Sequence, residues 1–223
     1  KDLQQKMATA RYDFGIAYDG DADRVGFADE TGAIIPMDMI TALIATSILR
    51  QTPGAAIYYD LRSSWAVKEV IKENGGRPLM SRVGHAFIKA QMREENAVFG
   101  GELSGHYYFR ENFFTESSSL AVLSVANLVS QSEAPISQLV APIQRYHCSG
   151  EINSTVEDVD KVFATLRKQY TSGREVTLDG LSIEFDDWWF NVRPSNTEPL
   201  VRLNLEAQTR DAMEQRRDEV LEV

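Results

Sequence analysis

Four strand-like runs, at residues 13–18, 57–61, 78–82 and 97–99, alternate with helical patterns at 37–50, 64–74, 85–96 and 117–131. An antiparallel pair closes through a short turn, but parallel strands need a crossover of a dozen or more residues, usually a helix. The rhythm therefore predicts βαβ units and a mainly parallel sheet. Asn74-Gly75-Gly76 stops the second helix, and the polar stretch 130–135 ends the fourth. After about residue 145 the order changes to a strand at 148–153, a helix at 159–170, three strand-like runs and a last helix at 211–221 capped by Thr209. Strands clustered between two helices predict a small α+β unit. The expected fold class is α/β, a mainly parallel-type α/β domain followed by a smaller α+β C-terminal domain. The first strand arrives almost at once after Lys1, with little before it to supply parallel neighbours. The expectation is a piece of a longer protein, cut in front of residue 1.

The segment with the most chemistry is Asp19-Gly20-Asp21-Ala22-Asp23-Arg24, directly after the first strand. Alternate side chains share a face of a strand, and a Gly at the strand's end lets the backbone curl so that the three carboxylates converge. Converging carboxylates repel unless a divalent cation sits between them. Oxygen-only ligands suit a hard ion such as Mg²⁺, which keeps places for water or a phosphate oxygen. Arg24 relieves the excess negative charge when an anion also binds. Two other loops compete. An EF-hand would use Asp19, Asp21, Asp23 and Glu30, but it wants Gly where Arg24 stands and helices on both flanks. A haloacid-dehalogenase phosphotransferase would use Asp-x-Asp, but wants Thr or Val in place of Asp23. A solvated acidic turn explains neither the spacing nor Arg24.

With 33 acidic against 23 basic residues, net −10, the chain is a poor partner for nucleic acid or an acidic membrane surface. An anionic substrate then needs local basic residues. The lone cysteine, Cys148, excludes an internal disulfide and fits a reducing, cytoplasmic setting. The most apolar segment, 39–49, is too short and too interrupted by Thr and Ser to span a bilayer.

Three further constellations carry chemistry, and the first stands where ligands bind in α/β sheets, at the carboxyl end of a strand. Gly100-Gly101-Glu102-Leu103-Ser104-Gly105-His106 follows the strand ending at Phe99. If extended, it puts Glu102 and Ser104 on one side, a match for adjacent sugar hydroxyls; the alternative is an ordinary Gly-rich turn. Arg193-Pro194-Ser195-Asn196-Thr197-Glu198-Pro199 joins two strand-like runs and holds the parts of a phosphate cradle: a guanidinium, hydroxyls, an amide and turned backbone N–H groups. The alternative is a Pro-flanked turn. Ser81-Arg82-Val83-Gly84-His85-Ala86-Phe87-Ile88-Lys89 places His85 and Lys89 four apart, on one helix face. Arg62 follows the strand Tyr58-Tyr59-Asp60-Leu61.

Taken in this order, the four motifs resemble one family closely, the α-D-phosphohexomutases, which include phosphomannomutase and phosphoglucomutase. DGDADR looks like that family's metal loop, GGELSGH like its sugar-recognition loop, RPSNTEP like its phosphate-binding loop, and VGHAFIK like a further active-site segment. The resemblance covers nearly the whole chain, starting near the end of the second of the family's four domains. It implies residues 1–33 as the tail of that second domain, 34–145 as the α/β sugar-recognition domain and 146–223 as the α+β phosphate-binding domain. The implied reaction is reversible phosphate transfer between the 1- and 6-positions of a hexose (mannose, glucose or both) through a phosphoserine and a bisphosphate intermediate. Carried over by motif, Asp19, Asp21 and Asp23 bind Mg²⁺, and Arg24 steadies the transferring phosphoryl group. Glu102 and Ser104 hold sugar hydroxyls, Arg62 contacts substrate, and Arg193, Ser195, Asn196 and Thr197 hold the non-reacting phosphate. His85, His106 and Lys89 are candidates for acid/base work or charge support. Leu103 resembles mannose/glucose-type members more than glucosamine-type ones. The family's serine loop is absent from this sequence, and Ser63, Ser64 and Ser117–Ser119 lack its context. The chain alone is therefore expected to be silent, its partners being a hexose phosphate and the missing N-terminal domains. The remaining alternatives are the Mg²⁺-dependent phosphatase and a non-catalytic sugar-phosphate-binding module.

Overall fold

The computed structural model describes residues 1–195 and 200–223. Two units are distinguished by their internal contacts, Lys1–Arg145 and Tyr146–Val223.

The first unit starts with α1 (Asp2–Met7) and a small antiparallel sheet, β1 (Gly15–Tyr18), β2 (Val25–Ala28) and β3 (Ile34–Ile35), in that order. Then come α2 (Met37–Gln51), β4 (Ala56–Asp60), α3 (Trp65–Glu73), β5 (Arg77–Ser81), α4 (His85–Glu94) and β6 (Phe99–Gly101). A hairpin of β7 (Tyr107–Phe109) and β8 (Thr115–Glu116) precedes α5 (Ser118–Ser130) and the short α6 (Ile136–Val140). The large sheet runs β5-β4-β6-β7-β8, with β4 parallel to both β5 and β6 and the last two pairings antiparallel. Every residue of β4 is buried, as expected of a central strand covered on both faces. Helix α3 shows how the sequence builds a crossover. The Ser64 hydroxyl accepts the Ala66 N–H, and Ala66, Val67, Val70 and Ile71 bury one stripe.

Three features differ from the sequence reading. Strand β1 has no parallel neighbour among the described residues; it pairs antiparallel with β2, because the loop 19–24 returns the chain directly. Gly100 and Gly101, read as loop, belong to β6. A Cβ on Gly101 would lie 2.1 Å from the Thr41 hydroxyl, so the missing side chain is what lets α2 lie close on this strand. The aromatic run Tyr107-Tyr108-Phe109, not anticipated as a strand, extends the sheet beyond its parallel part.

The β7–β8 connection carries two successive non-glycine residues in the left-handed region, Phe113 at φ 56° and Phe114 at φ 60°. Phe114 packs against the core beside Tyr108 and Met92, but Phe113 is 82% exposed. Left-handed backbone costs an ordinary residue about 1–2 kcal/mol, and Asn tolerates it better. Phe113→Asn is therefore expected to stabilise the protein by about 0.5–1 kcal/mol. A lowered unfolding midpoint in urea would show that the aromatic ring contributes more than its backbone costs.

The second unit is an antiparallel sheet ordered β10-β14-β13-β12-β11, built from β10 (Ile152–Thr155), β11 (Arg174–Val176), β12 (Leu181–Glu184), β13 (Trp188–Pro194) and β14 (Leu200–Ala207). The short β9 (His147–Cys148) also pairs with β14. The single strand expected at 148–153 is thus two, interrupted where Ser149 bonds to Leu205 by both its N–H and its hydroxyl. Helices α7 (Val159–Gln169) and α8 (Arg210–Leu221) contribute Leu166, Met213 and Val220 to a core with Trp188, Phe190, Val192, Leu203 and Leu205. The period of two along β13 sends Trp189 and Asn191 to the other face, where they bond Glu206 and Ser182. Thr209 caps α8 by accepting the Ala212 N–H. Among the described residues no helix is long and apolar enough to cross a membrane.

Candidate active site

Because β4, β5 and β6 are parallel, their carboxyl ends share one edge of the sheet, and the loops leaving that edge carry the polar residues. The β1–β2 loop is tied into the same unit by three hydrogen bonds. The Val25 N–H donates to the Gly105 carbonyl (3.2 Å), the Ser118 hydroxyl to the Ala22 carbonyl (2.6 Å), and His106 Nε2 lies 3.1 Å from Asp23 Oδ2.

Within that loop, carboxylate oxygens of Asp19, Asp21 and Asp23 lie within 4.8 Å of one another. The residue that turns the chain is Ala22, at φ 60°, rather than Gly20. Asp19 closes the loop by accepting the Arg24 N–H (3.2 Å) and its Nε–H (2.6 Å). Desolvation pushes the Asp19 carboxyl up, but the two Arg24 bonds prevail and hold it below its usual value. Arg24 Nε also lies 3.6 Å from Asp23 Oδ1, and that oxygen is buried with no hydrogen-bond partner. A buried carboxylate oxygen without a donor is costly. A divalent cation among three all-oxygen donors satisfies it, and the donor set fits Mg²⁺.

The segment 102–106 is a tight turn, not an extended run. The Glu102 N–H donates to the His106 carbonyl, the Gly105 N–H to the Glu102 carbonyl, and Gly105 sits at φ 91°, where a side chain would be strained. Glu102 is 2% exposed and points inward. Its Oε1 accepts the Gly84 N–H (3.0 Å) and its Oε2 the Tyr108 hydroxyl (2.5 Å). Desolvation raises the Glu102 carboxyl, yet His106, Tyr108 and the Gly84 N–H together hold it below the usual range. Burial raises the Tyr108 phenol, and the Glu102 charge raises it further, so Tyr108 stays a donor. His106 is held on both nitrogens. Nδ1 lies 2.8 Å from Ser104 Oγ and 3.4 Å from Glu102 Oε2, opposite the Asp23 contact. Desolvation lowers its imidazole, but Glu102 and Asp23 outweigh it and favour the charged ring.

His85 and Lys89 lie on α4 and meet one acid, Glu116. Lys89 Nζ donates to both carboxylate oxygens (3.1 and 3.0 Å), and His85 Nδ1 lies 3.7 Å away. The His85 and His106 rings stand 6.3 Å apart between centroids. At the end of β4, Arg62 is clamped on the buried Asp60 carboxylate. One region of the first unit therefore gathers Asp19, Asp21, Asp23, Arg24, Arg62, His85, Lys89, Glu102, Ser104 and His106.

Arg193 and Ser195 belong to the second unit. Arg193 lies directly across the β13–β14 pair from Arg202, and Glu151 bridges the two guanidinium groups at 3.2 and 3.1 Å. Like charges facing across a ladder repel, and the shared carboxylate offsets that. The Ser195 N–H donates to the Leu200 carbonyl at the foot of the connecting loop. Asn196 and Thr197 lie outside the described residues.

Sequence reasoning did not single out Asp60, Tyr108, Glu116 or Glu151 as partners of these groups. A signal existed for Asp60, an acid closing a buried strand two residues before an arginine. Tyr108 and Glu116 depend on an unanticipated hairpin.

Residues 36–146 match the model of phosphoglucomutase/phosphomannomutase, alpha/beta/alpha domain III, and residues 151–223 that of the phosphoglucomutase/phosphomannomutase C-terminal domain. A phosphomannomutase of Methanocaldococcus jannaschii is 40% identical over 220 residues, which cover 99% of this chain and 49% of that protein. A protein of Xanthomonas campestris pv. campestris named phosphohexose mutases is 45% identical over 199 residues, 88% of this chain and 44% of its own length. A crystal structure of a phosphoglucomutase/phosphomannomutase family protein from Burkholderia thailandensis superposes with a TM-score of 0.85 at 32% identity, over 98% of this chain and 47% of that one. The chain spans about half the length of the relatives it matches.

Proposed function

The chain belongs to the phosphoglucomutase/phosphomannomutase family, the α-D-phosphohexomutases, and from that premise we propose that it is the C-terminal half of an enzyme interconverting hexose 1-phosphate and hexose 6-phosphate. The observation that carries the reading is the convergence of Asp19, Asp21 and Asp23 beside the Asp23–His106–Glu102 chain. Mg²⁺ bound by the three aspartates would offset negative charge on the transferring phosphoryl group. Phosphoryl transfer is mostly positioning and charge stabilisation, which suits a site rich in ligands and poor in nucleophiles. In this proposal Arg24 moves from Asp19 to steady the phosphoryl oxygens, and a phosphoserine of the upstream domains is the donor. Ser104 and His106 face the sugar hydroxyls, Glu102 anchors the turn that presents them, and Arg62 holds substrate. His85, near Glu116 and Lys89, is the exposed candidate for proton transfer. Arg193 and Ser195, with Asn196 and Thr197, take the non-reacting phosphate in the last domain, and residues 1–33 are the tail of the preceding one. Leu103 favours mannose or glucose as the sugar. The single cysteine suits the cytoplasm.

The competing readings are weaker. The 19–24 loop is flanked by β1 and β2 rather than by the two helices of a calcium hand. A haloacid-dehalogenase phosphatase wants Thr or Val at the position where Asp23 completes the carboxylate cluster.

The proposal is tested on the chain itself with mannose 1-phosphate and glucose 1-phosphate. The amides of Ser104, Gly105 and His106 are expected to shift in an NMR titration with at least one of the two sugars, without turnover of either. Measurable isomerisation by clean chain would show that no upstream serine is needed. Titration without any shift at 102–106 would remove the sugar loop from the proposal.

A further inference from the structure

Asp60 is fully buried at the last position of β4, and its carboxylate is saturated. Oδ1 accepts the Arg62 N–H (2.8 Å) and its Nε–H (3.3 Å). Oδ2 accepts Arg62 Nη2 (2.6 Å) and the Leu103 N–H (2.8 Å). A carboxylate offers about four lone-pair sites, and here all four are taken by two loops. A buried charge is tolerated only while its partners stay in place, since removing one leaves it uncompensated. Arg62, whose side chain is only 10% exposed, cannot swing away without leaving the buried carboxylate without its cation and Oδ2 held by the Leu103 N–H alone. Leu103 lies between Glu102 and Ser104, inside the turn that places both.

We propose that Asp60 is a positioning residue that couples Arg62 to the 102–106 turn, so that a ligand drawn to one is presented to the other in a fixed geometry. The coupling deepens the sugar-phosphate reading and rests on it for its use, but not for its existence. The carboxylate serves as a hinge pin shared by a cation and a backbone amide. Its charge is needed because hydrogen bonds to an ionised acceptor are roughly twice as strong as neutral ones.

The test uses the whole chain with Asp60→Asn, Arg62→Gln and the double variant. Hydrogen exchange at the Leu103 amide is read first. Arg62→Gln leaves the Asp60–Leu103 bond formally possible, yet it is expected to speed exchange at Leu103 about tenfold by loosening the shared carboxylate. Exchange unchanged within about twofold would overturn the coupling, and this arm holds even where Asp60→Asn fails to fold. The second readout is affinity for mannose 1-phosphate. Asp60→Asn is expected to weaken binding about tenfold in the native background and less than about twofold when Arg62 is already Gln. Equal losses in both backgrounds would show that Asp60 does not act through Arg62. If the native chain binds neither mannose 1-phosphate nor glucose 1-phosphate, the sugar-phosphate reading fails, and Leu103 exchange alone decides the coupling.

Discussion

Asp21→Asn is expected to weaken Mg²⁺ binding by about a hundredfold while leaving the fold intact. Its two neighbours carry second duties. Asp19 closes the loop on Arg24, and Asp23 holds His106. Asp21 is exposed and takes no hydrogen bond among the described residues, so its removal isolates the contribution of one ligand oxygen. Outer-shell changes at metal sites already cost about 10–100-fold in affinity, and loss of a carboxylate in the proposed direct role belongs at the upper end or beyond. The readout is Mg²⁺ competition against Mn²⁺ broadening of the amide signals at 19–24. Unchanged competition in the variant would remove Asp21 from the metal site.

Glu102→Ala is expected to destabilise the first unit by about 3–5 kcal/mol, the cost of breaking a buried charged network. The substitution strands the Tyr108 hydroxyl and the Gly84 N–H, both aimed at the lost carboxylate. It also removes a partner of His106. The pH dependence has a defined sign. The Glu102 carboxyl is held below its unfolded value of 4.5, so its contribution is fully present above about pH 4.5 and is lost as pH falls through the lower folded value. Urea midpoints measured from pH 7 down into that acid window should fall more steeply for the native chain than for Glu102→Gln. A Glu102→Ala variant within about 1 kcal/mol of the native chain would mean that the network contributes little.

The sequence was most legible where local chemistry and global packing agree. The crossover helix α3 is announced by its helical pattern at 64–74 and the stop at Asn74-Gly75-Gly76, and it forms within a residue of its expected ends. The Asp19–Arg24 loop was readable because three carboxylates at alternate positions have few bland explanations. The geometry that brings them together was not, since Ala22 rather than Gly20 takes the left-handed backbone. The β7–β8 hairpin was hidden because its aromatic run is short and its connection uses Phe113 and Phe114 where a turn would ordinarily show Gly or Asn. Missing that hairpin also hid Tyr108 and Glu116, the partners of Glu102 and Lys89. Pairwise partners such as these, 27 residues apart for Lys89 and Glu116, depend on tertiary folding and leave no local pattern.

The central claim is that these loops belong to an enzyme moving phosphate between two positions of one hexose. The most direct measurement is an isomerase assay on the longer protein proposed above, using mannose 1-phosphate and glucose 1-phosphate with Mg²⁺ and a trace of hexose bisphosphate. Formation of the 6-phosphate, abolished by Asp21→Asn and by chelation of the metal, is the result expected. Steady release of free phosphate with no hexose 6-phosphate would contradict the account and return the Asp19–Arg24 loop to a phosphatase.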